Sequence, residues 1–230
     1  MKLGHVRILL VGAKGRMAQT IVDLAKAEPN IEIVAQCDLG DAIAPAMNNS
    51  DVSIDFSHAD AIEEICRAAV VQRQPLVIGT TGHSAAQRQL IQETAQSVPI
   101  VFASNFSVGV NALFALTRRA GEILRDFDIS IVETHHTMKK DAPSGTAKTL
   151  AQIAKSTRKI DKEIPIESIR EGEVVGEHTV TFSTMSERLE LTHRAASRAI
   201  FARGALRAAA WVIGKPARLY SMQDVLGLGL

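Results

Sequence analysis

Two adjacent histidines, His135 and His136, precede Lys139 and a Pro143-Ser144-Gly145-Thr146 turn, with Glu133 just upstream. Histidine and lysine donate or take up protons when their pKa values are tuned toward neutrality. His135 and Lys139 are therefore candidates for acid–base work, and residue types alone leave open which of them delivers the proton. His136 is a candidate for binding a carboxylate. Ser144 is a natural N-cap, so the backbone N–H groups of Gly145 and Thr146 would face an anion at a helix start. Glu133 is expected to orient a neighbour, and Lys140 to be solvated. The plainer reading of the same residues is a solvated basic loop, which has no need of two histidines together with a rigid turn. The chemistry they suggest is a receptor for an anionic small molecule, a carboxylate, with proton donors beside it.

The elements that must position this group can be read from periodicity. Residues 129–132 alternate as a strand does, and the run from Thr146 onward is helix-like, so the polar cluster falls in a connection. Nearer the N-terminus, Arg7–Val11 is a continuous apolar run, as in a strand buried on both faces. It is followed by Gly12-Ala13-Lys14-Gly15-Arg16-Met17-Ala18, a helix, a second strand over 31–37, and Asp38 at that strand's end. This is the layout of a dinucleotide-binding unit. Gly12 allows a tight turn off the strand. Gly15 lets backbone approach a pyrophosphate at the helix N-terminus. Asp38 is placed to accept from a ribose hydroxyl. The third position of the fingerprint is Ala18, which the motif permits. Leu39-Gly40 follows the acid where an arginine would suit a 2′-phosphate. That favours NADH over NADPH, a preference that Lys14 and Arg16 could soften.

Further strands over 52–56, 75–78 and 100–102 alternate with helices over 61–72 and 84–96, with a polar, alanine-rich connection over 41–50. This rhythm predicts a parallel, doubly wound α/β sheet. Ligands lie beyond the carboxyl ends of such strands, where Asp38, the Gly79–Gly82 run and the Ala103–Phe106 run cluster. His58 lies at the same edge with nothing else to select it, and His83 is expected to cap a helix. After residue 107 the pattern changes to helices over 110–124 and 146–155 with strands over 128–134, 179–183 and 188–192, a second, α+β region. His178 and His193 fall in strands, as structural histidines. A helix over 197–212 and an apolar run over 218–230 end the chain. The 230 residues are 46% hydrophobic and 22% charged with net charge +1, which argues against a nucleic-acid or membrane binder. No apolar run approaches the ~18 residues of a membrane span, and no signal-peptide pattern precedes the first strand. Cys37 and Cys66 have no metal-ligand spacing and read as buried reduced thiols, consistent with a cytoplasmic protein without a metal centre.

With these residues in place, the chain resembles the 4-hydroxy-tetrahydrodipicolinate reductase (dihydrodipicolinate reductase) family. The resemblance covers nearly the whole length. It rests on residues 11–17, Asp55-Phe56-Ser57, residues 79–82, residues 103–111, Glu133-Thr134-His135-His136, Lys139, residues 141–147, Gly176-Glu177-His178-Thr179 and residues 222–228. It implies an N-terminal Rossmann domain of residues 1–106 and 198–230, which binds NADH or NADPH. A substrate-binding and tetramerisation domain of residues 107–197 is implied with it. It implies reduction of a cyclic dicarboxylate imine, with His135 as proton donor and acceptor and Lys139 as proton donor. His136, Gly145 and Thr146 would bind that substrate. Gly12, Ala13, Lys14, Gly15, Arg16, Met17, Asp38, Gly79, Thr80, Thr81, Ser104, Asn105 and Phe106 would bind the cofactor. Family members are commonly homotetramers. The competing readings are another imine or keto-acid reductase, which would not require the 141–146 turn, and a nucleotide sensor with a decayed site, which predicts losses among His135, Lys139 and the Gly145-Thr146 seat.

Overall fold

A computed structural model describes residues 5–228; residues 1–4 and 229–230, the ends of the expected first domain, lie outside the described residues. The chain divides into two compact units, Met1–Phe106 with Ala199–Leu230, and Ser107–Arg198.

In the first unit, strands β1 (Val6–Val11), β2 (Ile31–Cys37), β3 (Val52–Asp55), β4 (Leu76–Ile78) and β5 (Ile100–Phe102) alternate with helices α1 (Arg16–Ala25), α2 (Ile43–Met47), α3 (Ile62–Gln72) and α4 (Ala85–Thr94). The chain returns to this unit with α7 (Ala199–Val212), β10 (Leu219–Tyr220) and α8 (Met222–Leu226). The six strands run in the order β10-β5-β4-β3-β1-β2, and every pairing is parallel. Successive side chains of a strand point to opposite faces. Ile8, Leu10, Ile54 and Val77 therefore enter one buried layer with Ile21, Ala205 and Val212. Leu9, Val11, Leu76 and Ile78 enter the other with Ile65 and Ile91. Gly204 of α7 lies so close to the Phe106 carbonyl that a Cβ there would overlap it. Residues 41–50 are more than a connection: Ile43 and Met47, one helical turn apart, are both buried, and α2 forms between them. Cys37 and Cys66 are buried free thiols. His83 does not cap α4. Ser84 does, in a reciprocal capping box with Gln87.

Because β1 is followed on one side by β2 and on the other by β3, the chain reverses direction across the sheet at β1. The carboxyl ends of β1 and β3 frame a topological switch point.

The second unit is built from α5 (Val108–Ile123), β6 (Asp128–His135), α6 (Gly145–Arg158), β7 (Ile166–Arg170), β8 (Gly176–Ser183) and β9 (Arg188–Ala195). Its sheet has the order β7-β6-β8-β9. β6 and β8, and β8 and β9, pair antiparallel; β6 and β7 pair parallel and are joined through α6 as a crossover. Ile129, Ile131, Val180 and Phe182 point inward against Val110, Leu113, Phe114, Leu150 and Ala154. The same two-residue period carries Glu133, His135 and His178 onto that inward face. Three polar side chains thus continue an apolar stripe at one end of the sheet. Among the described residues no helix is long and apolar enough to cross a membrane.

Candidate active site and cofactor cleft

The strand before the polar cluster is longer than its apolar residues suggest. β6 runs through Glu133 and ends on His135, so these two residues belong to a strand end, and the connection begins at His136. Glu133 is fully buried and His135 is 8% exposed. The His135 Nδ1 and a Glu133 carboxylate oxygen are directly hydrogen-bonded. The other carboxylate oxygen accepts from Arg170 Nη2 at 2.9 Å and from the Ser144 backbone N–H at 3.2 Å. Burial by itself would raise the Glu133 carboxyl. The Arg170 and His135 hydrogen bonds overcome that, and it is held down at about 2. Glu133 is therefore an anion throughout the neutral range. It fixes a proton on His135 Nδ1 and leaves Nε2 as the ring nitrogen able to exchange one with a ligand. Burial lowers the His135 pKa from its ordinary value. The Glu133 carboxylate opposes that, while Lys139 and Arg170 add to it.

Arg170 was not foreseen from sequence. It reaches the site through register, since β6 and β7 pair His135 with Arg170. Beyond Glu133, its guanidinium donates to the Lys139 carbonyl at 3.3 Å and the Asp141 carbonyl at 2.6 Å. One cation thus balances the buried carboxylate and ties down the loop that carries Lys139. The Lys139 ammonium is held between both carboxylate oxygens of Asp141, at 2.7 and 2.8 Å. Lys140 is exposed, as expected.

Ser144 caps α6 as expected, accepting from Ala147 N–H at 3.2 Å. An Ala142–Pro143 cis peptide bond precedes it. Gly145 is exposed, and no atom lies within 4 Å of where a Cβ would stand, so the first turn of α6 has open space over it. His136 is outside the buried group. Its backbone N–H bonds the Val174 carbonyl at 2.7 Å, and its Nε2 lies 3.4 Å from Arg198 Nη2. His178, expected to be merely structural, is buried beside His135 with ring centroids 5.1 Å apart. Glu133, His135 and His178 also have donor atoms within 4.8 Å of one another, the one such cluster of three among the described residues.

In the first unit the glycine turn is tight and closely packed. Gly12 has φ +85°, and a Cβ there would stand 2.6 Å from the Phe56 carbonyl oxygen. Gly12 and Ala13 N–H both bond the Cys37 carbonyl, at 2.9 and 3.1 Å. Gly15 is the N-cap of α1, and Arg16 and Met17 open its first turn. Asp38 accepts from Lys14 N–H at 2.7 Å and Leu39 N–H at 2.8 Å, which hold its carboxyl below the ordinary range. Gly12, Lys14, Gly15, Asp38 and Leu39 line a cleft of about 670 Å³ with Asp41, His58, Asp60 and Glu64, whereas Ala13 and Arg16 are not among its lining residues. Gly79 admits the Phe56 ring where any Cβ would overlap it. Gly79, Met17, Ser104, Asn105 and Phe106 line a smaller adjoining space of about 180 Å³. Thr80 is buried and Thr81 exposed at the end of β4. The cleft and the His135 group lie in different units.

The family model for dihydrodipicolinate reductase, N-terminus, matches residues 6–106, and that for its C-terminus matches residues 109–226. A 4-hydroxy-tetrahydrodipicolinate reductase of Akkermansia muciniphila is 48% identical over 97% of this chain and 98% of its own length. The enzyme of the same name from Methanoregula boonei is 41% identical over 96% and 98%. Among solved structures, a dipicolinate-bound dihydrodipicolinate reductase from Paenisporosarcina sp. TG-14 has the same fold, with TM-score 0.80 at 24% identity over 95% of this chain and 98% of that one. With both family models tiling the chain and relatives matching it almost end to end, this protein belongs to the 4-hydroxy-tetrahydrodipicolinate reductase family.

Proposed function

We infer that the chain performs the NAD(P)H-dependent reduction of (2S,4S)-4-hydroxy-2,3,4,5-tetrahydrodipicolinate to tetrahydrodipicolinate, in the diaminopimelate route of lysine biosynthesis. The observation that carries this reading is the buried Glu133–His135 pair, braced by Arg170 and set beside an open helix N-terminus, in a chain matched along its length by that family. In balance, the cyclic imine loses water and takes up one hydride and one proton.

The nicotinamide cofactor supplies the hydride, and the turn at Gly12–Gly15 with Asp38 fits its pyrophosphate and ribose. In the second unit, Gly145 and Thr146 at the start of α6 seat one substrate carboxylate, and His136 assists in binding it. His135 handles the substrate proton at Nε2, because Nδ1 is committed to Glu133. Lys139, steadied by Asp141, is the proton donor at the position it reaches. NADH is the preferred cofactor. Asp38, Asp41, Asp60 and Glu64 make the lining of the ribose end predominantly acidic, and Leu39 stands fully exposed where a cation would be needed. A 2′-phosphate would meet like charge there. A homotetramer is proposed to form through the sheet of the second unit, by the face bearing Val132, Thr134, Thr179 and Thr181, which points away from α5 and α6. The free thiols of Cys37 and Cys66 suit a cytoplasmic location.

The test is purified protein with the cyclic imine, following NADH and NADPH oxidation in parallel. Turnover is expected, with higher kcat/KM for NADH. His135→Ala and Lys139→Ala are each expected to lower kcat by ~10²-fold or more, as on losing an acid–base group. Absence of turnover with either cofactor would favour a nucleotide sensor. Full activity in both variants would remove the assigned roles.

A further inference from the structure

His178 belongs to the Gly176–Thr179 segment, yet the reaction as derived gives it no task. It is 4% exposed. Its Nε2 lies 3.1 Å from the Ser144 hydroxyl, and its Nδ1 is buried without a hydrogen-bond partner. Its ring meets the His135 ring edge to face, with an interplanar angle of 77°. In the sheet it stands directly opposite Glu133 on one side and His193 on the other. The Ser144 oxygen also accepts from Ala147 N–H, and its hydroxyl and His178 Nε2 share one hydrogen bond. Burial, reinforced by His135, holds its pKa down at about 4, so the ring is neutral at physiological pH.

One side chain thus touches both halves of the site: the cap that starts the anion seat and the imidazole that handles the proton. We propose that His178 is a positioning residue, which fixes the Ser144 hydroxyl, and with it the first turn of α6, through Nε2, and fixes the His135 ring through the face it packs against. This rests on the roles given above to the α6 seat and to His135. Gly176 supports the arrangement. A Cβ there would stand 3.1 Å from His135 Nε2 and 3.8 Å from His178 Cε1, so a side chain at 176 would press on the His135 ring.

Two substitutions separate the contacts. His178→Phe keeps a ring against His135 and loses the hydrogen-bond partner of Ser144. His178→Gln keeps such a partner and loses the ring. His178→Phe is expected to raise KM for the imine about fivefold, the usual effect of one lost hydrogen bond, with kcat little changed. His178→Gln is expected to lower kcat about tenfold, as for a displaced catalytic group, with KM little changed. Both variants affecting kcat and KM alike, or neither parameter moving, overturns the proposal. Nitrogen-15 NMR of the histidines in the wild-type protein gives a measurement independent of activity. A His178 ring locked in one tautomer, with an Nε2 shift that moves in Ser144→Ala, supports the proposal, and a ring that averages between tautomers or an Nε2 shift unmoved in Ser144→Ala overturns it. If wild-type protein does not turn over the imine, the functional reading fails, and the Nε2 shift still decides the Ser144 contact.

Discussion

Glu133→Gln is the most informative single change, because one fully buried carboxylate takes part in three hydrogen bonds. Glutamine has the same shape. Its carbonyl can still accept from Arg170 and Ser144 N–H, but its amide nitrogen then faces His135 Nδ1 as a donor. Nδ1 must become the acceptor, and the ring proton moves to Nε2. The neutral imidazole would then have no free nitrogen at Nε2 to take a proton, and its charged form would lose its counter-ion. A hydrogen bond to a charged group is worth about 1.5–3 kcal/mol, so kcat should fall by about 10- to 100-fold. The Glu133 carboxylate raises the His135 pKa against the effect of burial, so the limb of the kcat/KM profile that reports His135 should move to more acid pH. Stability carries a second signature. A carboxyl held at about 2 instead of its ordinary 4.5 is worth about 3 kcal/mol of folding free energy. Because the folded value is the lower one, that stability is fully present above pH 4.5 and lost as pH falls through about 2. Glu133→Gln should lack this acid dependence while leaving Arg170 without a counter-charge at every pH. Steady-state kinetics across pH and urea unfolding at neutral and acid pH provide the measurements. A kcat within twofold of wild type, or an unmoved limb, would refute the dyad reasoning.

Other expectations follow from the same structure. Leu39→Arg should raise kcat/KM with NADPH relative to NADH by about tenfold, since it places a cation among Asp38, Asp41 and Glu64; the ratio of the two rates checks it. Buried His178, with a folded pKa near 4 against 6.5 unfolded, should contribute about 3 kcal/mol that is present above pH 6.5 and lost as pH falls toward 4. Urea midpoints measured over that window should decline, and less steeply in His178→Gln. Gly204→Ala should destabilise the first unit by about 1–3 kcal/mol, because its methyl would overlap the Phe106 carbonyl, and calorimetry should show the lower Tm.

What the sequence discloses here depends on how local the signal is. The parallel sheet was legible because β1 and β4 are continuous apolar runs ended by glycines, and because Asp38 closes β2. The α6 cap was legible because Ser144 acts on its own next turn. β6 was legible to within one residue: the strand expected over 128–134 ends on His135, although its inward positions change from Ile129 and Ile131 to Glu133 and His135 and the alternation of hydrophobicity stops. Arg170 was invisible: its partnership with Glu133 exists only once β7 is laid beside β6, a non-local event with no trace in spacing. His178 was placed in a strand as expected, but its role as neighbour to His135 and Ser144 comes from antiparallel register. α2 escaped because Ala42–Met47 is too short and too rich in alanine and proline for periodicity to show.

The crossover from β6 through α6 to β7 makes the second unit a miniature of the first. Each has a strand, a loop, and a helix whose N-terminus is the proposed seat of an anion: Gly12–Gly15 before α1, and His136–Ser144 before α6. Both ends of the 136–144 loop are anchored, at one side by the ladder of β6 and at the other by the Ser144 contacts to Glu133 and His178. The distance from the proton-handling nitrogen to the carboxylate seat is therefore a property of the scaffold. The loop between them sets only what Lys139 can reach. Changes within 137–142 that keep Lys139 and Asp141 should therefore alter which ring is accepted, while the spacing of the proposed acid–base group and anion seat stays constant.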